Sequence, residues 1–109
     1  MIAVRSTTGY EKLVAKLLSP GEREAMEAHI AASPMSHPVI AGSGGVRKAR
    51  WARGSKGKSG GVRTIYFYAA SDSVVLMIDI YAKNRKETLT DAEKTAIRKV
   101  VKEYQSSLR

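Results

Sequence analysis

Residues 44–63 read Gly44-Gly45-Val46-Arg47-Lys48-Ala49-Arg50-Trp51-Ala52-Arg53-Gly54-Ser55-Lys56-Gly57-Lys58-Ser59-Gly60-Gly61-Val62-Arg63. Here the period of the chain changes. Upstream, apolar residues recur at helical spacing. From Val46 they alternate, with Ala49 and Trp51 on one side and Lys48 and Arg50 on the other. Alternation with cations outward predicts a half-buried strand over 46–53. The glycine-rich 54–60 predicts a loop. Val62, Ile65, Tyr66, Phe67 and Tyr68 then predict a second strand over 61–70. After a turn at 70–73 comes the most apolar run of the chain, Val74 to Tyr81, which reads as the central strand. The three strands form an antiparallel meander.

Upstream, 2–6 is a short strand candidate. Thr8 followed by Glu11 has capping-box spacing, and Tyr10, Leu13, Val14, Leu17 and Leu18 then predict an amphipathic helix over 9–18. Ser19-Pro20-Gly21-Glu22 repeats that signature, with proline at the first helical position, and opens a helix over 20–32. Pro34 and Pro38 forbid helix in the connector 33–45. Downstream, Thr90-Asp91-Ala92-Glu93 is a third capping box, opening a helix to about Tyr104 with Ala96, Ile97, Val100, Val101 and Tyr104 as its buried stripe. The expected fold is one α+β domain over 1–109. Its antiparallel sheet carries an N-terminal helical hairpin and a C-terminal helix, all expected on one face.

Charge is concentrated where the period changes. Residues 44–63 hold seven cations and no acid, so they carry +7 of the net +9. Such a segment points to a polyanionic partner. Its strand-like alternation, broken by glycines, disfavours a membrane-surface helix. The chain has no cysteine, which excludes disulfides and thiolate metal sites. No apolar run approaches ~20 residues, so no membrane span is expected. No secretory pattern opens the sequence, and the cytoplasm is the default location. His29 and His37 form no metal-ligand spacing. No metal or cofactor is expected.

Arg53, Arg63 and Lys83 fall at strand ends that a meander brings to one end of the sheet, together with Lys56 and Lys58 in the loop between. Such a cluster binds phosphates. It can also stabilise the charge of a phosphorane when a 2′-hydroxyl attacks its own phosphodiester. A lysine crowded by other cations has a lowered pKa and can move a proton near neutral pH. Tyr66 or Tyr81 could stack on a base or assist that transfer, and both could equally pack in the core. Trp51 is open between core and base stacking. Asp79 could pair with a strand arginine. The Gly-Ser-Lys-Gly-Lys-Ser run lacks the spacing of a nucleotide-binding loop, and a strand follows it.

Several motifs in order resemble the RelE/HigB toxins of bacterial type II toxin–antitoxin systems, closest to the HigB-type branch. They are residues 44–53, the run 57–68, Ile80-Tyr81-Ala82-Lys83-Asn84, Leu89-Thr90 and Glu93-Lys94. The resemblance implies a metal-independent, ribosome-dependent mRNA endonuclease that inhibits translation. It also implies a cognate antitoxin, a small helix-turn-helix protein through which the pair reaches operator DNA. By motif position it assigns catalysis to Lys56, Lys58, Arg63 and Lys83. RNA binding falls to Arg47, Lys48, Arg50, Arg53, Tyr81, Asn84, Arg85 and Lys86. Some members carry a tyrosine after the last strand. Here 85–89 has none, which shifts weight to the lysines. The alternatives are a noncatalytic, gyrase-inhibiting toxin like the ParE branch, and a nucleic-acid-binding module without activity.

Overall fold

The computed structural model describes residues 1–52, 61–86 and 88–107. Along the chain come β1 (Ala3–Ser6), α1 (Thr8–Leu17), α2 (Pro20–Ala32), β2 (Arg47–Trp51), β3 (Val62–Ala69), β4 (Val74–Ala82) and α3 (Asp91–Ser107). The loop expected over 54–60 lies outside the described residues.

Two of the three expected capping boxes form. At α2, Glu22 N–H donates to Ser19 Oγ (3.2 Å) and Ser19 N–H donates to Glu22 Oε1 (2.9 Å). At α3, Glu93 N–H donates to Thr90 Oγ1 (3.1 Å) and Thr90 N–H to Glu93 Oε1 (2.8 Å). At α1 the cap is Thr7, not Thr8. Thr7 Oγ1 accepts the Tyr10 N–H (3.1 Å) and donates to Ile78 O (3.0 Å), and Thr7 N–H donates to Met77 O (3.0 Å). β4 thus selects which threonine starts the helix. Glu11 serves elsewhere: it accepts from Ser6 Oγ and from both Nη atoms of Arg23 (2.9 and 2.6 Å). These bonds hold its carboxyl down at about 2 and tie α1 to α2.

The four strands form one sheet in the order β1-β4-β3-β2. β2, β3 and β4 are antiparallel neighbours, as the meander predicts. β1 lies against β4 in parallel, with Ala3 opposite Val74 and Ser6 opposite Met77. The sheet is therefore mixed. β1 is only four residues long and distant in sequence from its partner, so nothing local signals its direction.

The expectation that all helices share one face is corrected. Tyr10, Val14, Met26 and Ile30 of the first two helices pack on Ala49, Val62, Tyr66, Val75, Met77 and Ile80. Ile97 and Val101 of α3 pack on the other face, against Ile65, Phe67, Leu76 and Ile78. β3 and β4 are apolar on both sides, and a strand buried on both faces needs cover on both. The connector also protects an edge. Lys48 N–H donates to Pro38 O (3.0 Å) and Ile40 N–H to Val46 O (2.9 Å), so Pro38 to Ile40 runs along β2.

One irregularity positions the site. Ile65 pairs with Asp79, but Tyr66 pairs with Met77, so Ile78 is an extra residue in β4. Such a bulge reverses the phase of everything beyond it. Alternation from Val75 and Met77 alone would send Tyr81 to the α1–α2 face. After the bulge Ile80 takes that face, and Tyr81 joins the α3 face.

Candidate functional site

The pairing register builds the site. Arg50 is opposite Arg63, and Arg63 is opposite Tyr81, giving one row across three strands. The next row is Lys48, Ile65, Asp79. Ile65 and Tyr81 both belong to the α3-side cluster, so these rows share that face. At the sheet end, Trp51, Val62 and Ala82 are in register, and Lys83 N–H donates to Gly61 O (3.0 Å). The strand ends that carry Arg63 and Lys83 therefore meet, as the meander predicts. Arg50, Trp51, Ala52, Gly61, Arg63 and Lys83 line a cleft of about 300 Å³.

Within this cleft Arg63 is buried (8% exposed), with Nη1 donating to Val62 O (3.3 Å). Tyr81 is buried as well, and its hydroxyl has no hydrogen-bond partner among the described residues. Burial pushes its phenol pKa up, and the nearby Asp79 carboxyl adds to this. Tyr81 therefore carries its proton at neutral pH. Lys86 Nζ lies 4.7 Å from the centre of the Tyr81 ring. Asp79 accepts the Ile80 N–H (2.9 Å), and burial raises its carboxyl pKa. No strand arginine pairs with it among the described residues, so the expected Asp79–arginine bond does not form. Around the free end of β4, a second cleft of about 340 Å³ is lined by Leu13, Lys16, Leu17, residues 79–82, Arg85 and Lys86.

Arg63, Lys83, Arg50 and Tyr81 come together. Lys48 lies one row away on the same face. Asn84 and Arg85 are exposed in the turn after β4, and Lys86 is partly buried beside Tyr81. Lys56, Lys58 and Arg53 lie outside the described residues. Arg47 is set apart from the cluster. It pairs with Tyr66, whose row faces the α1–α2 side, and its Nη1 donates to Met35 O (3.2 Å) and His37 O (2.7 Å). That guanidinium holds the connector. Tyr66 is likewise removed from proton chemistry, being fully buried with its hydroxyl donating to Pro34 O (2.6 Å). Burial pushes its pKa up to about 12. Trp51 packs against the α1–α2 core, its ring 5.6 Å from His29 of α2, and also lines the cleft. Leu89, in the segment after β4, is buried in the cluster under α3.

Sequence reasoning missed Glu93. Its capping role was legible, but its second oxygen pairs with Lys86 Nζ. No group of three His, Asp or Glu residues suited to a metal occurs among the described residues.

A family profile described as RelE toxin of RelE / RelB toxin-antitoxin system matches residues 31–109. The chain belongs to the RelE toxin family. The matched span takes in the connector, β2 to β4 and α3, and with them every described residue of the cluster. The chain is thus a toxin of a toxin–antitoxin system, with a cognate antitoxin as its partner. No helix among the described residues of this RelE-family toxin is long and apolar enough to cross a membrane.

Proposed function

We propose that this RelE-family chain is a HigB-type, ribosome-dependent mRNA endoribonuclease acting in the cytoplasm. The row Arg50–Arg63–Tyr81 beside Lys83 carries the reading, because Arg50 of β2, Arg63 of β3 and Lys83 just after β4 line one cleft, with Tyr81 in register with Arg63. The 2′-oxygen attacks the adjacent phosphorus and gives its proton to a base. The phosphorus–5′-oxygen bond breaks, and the departing oxygen takes a proton. A 2′,3′-cyclic phosphate and a 5′-hydroxyl result. Arg63 and Lys83 stabilise the phosphorane charge. Tyr81, protonated at neutral pH, can donate a proton and is no base. The acceptor role falls to Lys56 or Lys58, where the family resemblance assigns it. Arg50, Lys48, Arg53, Asn84 and Arg85 contact RNA. The antitoxin is a small helix-turn-helix protein that links the pair to operator DNA.

The test is message cleavage on translating ribosomes by Arg63→Ala and Arg63→Lys. Removing one charge-stabilising group costs about a hundred- to a thousandfold in rate. Normal cleavage by both folded variants would sink the site assignment. Undiminished growth arrest with inhibited gyrase supercoiling would favour the ParE-like alternative.

A further inference from the structure

We propose that Glu93 is a latch on the RNA-binding surface: it holds Lys86 over Tyr81, and an RNA phosphate must displace its carboxylate to recruit that cation. This rests on the reading of the cleft as an RNA site. The Glu93 carboxylate does two separate jobs. Oε1 accepts the Thr90 N–H (2.8 Å) and caps α3. Oε2 takes Lys86 Nζ, which also lies 4.7 Å from the Tyr81 ring centre. The side chains of Lys86 and Glu93 keep 31% and 34% of their exposure, so a phosphate can reach the pair. Lys86 hydrogen bonding keeps the Glu93 carboxyl pKa low, so the carboxylate is charged at neutral pH and competes with phosphate. A pair this accessible to solvent is weak enough for a polyanion to open.

Glu93→Gln separates the two jobs. An amide oxygen still caps the helix, since glutamine serves the capping box as glutamate does, but it no longer pairs with Lys86 as an ion. Binding to a fluorescein-labelled single-stranded RNA is measured against salt for wild type, E93Q, K86Q/E93Q and E103Q. Glu103 is exposed and ten residues further along α3, about 15 Å away, so E103Q controls for net charge. E93Q is expected to bind about two- to fivefold more tightly at low salt. Its log–log salt slope steepens by about 0.7, one extra counterion on a single strand. K86Q/E93Q loses both effects, and E103Q leaves the slope unchanged. Circular dichroism shows α3 intact. If E93Q behaves as E103Q does, or if its gain survives loss of Lys86, the latch is wrong. Absence of RNA binding by every form overturns the latch together with the RNA site. Wild-type protein that binds RNA without cutting ribosomal message, while E93Q shows the expected gain, overturns the nuclease reading alone and upholds the latch.

Discussion

Two tyrosines on neighbouring strands show how environment decides a residue's role. Tyr66 and Tyr81 are both buried strand phenols. Tyr66 gives its hydrogen to Pro34 O at 2.6 Å and so fastens the connector to β3. Tyr81 has no such partner among the described residues and faces the cation row. Tyr66→Phe should cost about 1 kcal/mol of stability, the usual net value of one such bond, and leave cleavage unchanged. Tyr81→Phe should be neutral or stabilising by up to about 1 kcal/mol, because it removes an unsatisfied buried group. If its hydroxyl supplies the leaving-group proton, cleavage should fall by at least tenfold, on the order of what one proton donor contributes. Denaturant melts and single-turnover cleavage of both variants check the contrast. The reverse pattern would exchange the two roles.

At the scale of elements, the start of α1 separates local from tertiary signals. Thr8 has Glu11 three residues on, so local spacing favours it as the cap. Thr7 wins because its backbone and hydroxyl also bind Met77 O and Ile78 O of β4. Thr7→Ala should therefore cost about 1–2 kcal/mol, a typical cap loss. Thr8→Ala should stay within about 0.5 kcal/mol, as for an ordinary surface change. Chemical denaturation of the two alanine variants distinguishes them, and equal losses would contradict the cap assignment. The Ser19–Glu22 and Thr90–Glu93 boxes were legible because every partner lies within three residues. The Ile78 bulge was not. A continuous apolar run offers no contrast between faces, so nothing in Val74 to Tyr81 reveals where the phase slips.

For the whole molecule, the shifted groups predict a stability plateau with two acid steps and one alkaline step. Burial lowers the His37 pKa below its ordinary 6.5, with His29 and Arg47 adding to the effect. The unfolded chain binds that proton first, so stability falls as pH drops below 6.5. Glu11 and Glu93 are depressed from 4.5, Glu11 to about 2, so their contribution is present above 4.5 and lost as pH falls toward 2. Asp79 is raised from 3.8 and opposes this second step. Tyr10, Tyr66 and Tyr81 are all raised from 10.0 by burial, so stability is lost as pH climbs past 10. Thermal melts across pH should show a plateau between about 6.5 and 10, the span between these onsets. His37→Gln should flatten the first acid step alone. A step unchanged in that variant would assign it to another group.

The sequence by itself determined the order of elements, the meander, the single dense block of cations and the family they indicate. Those properties rest on neighbours in the chain: apolar period, capping spacing, glycine position and charge. Only the tertiary structure decided that β1 runs parallel to β4 and that α3 covers the face opposite α1 and α2. It also set Arg47 apart from the cation row, in the service of the connector. Above all it decided that Tyr81 stands in line with Arg63, because one extra residue at Ile78 exchanged the faces of the strand beyond it. Register and phase are properties of pairs of strands, and spacing within one strand does not encode them.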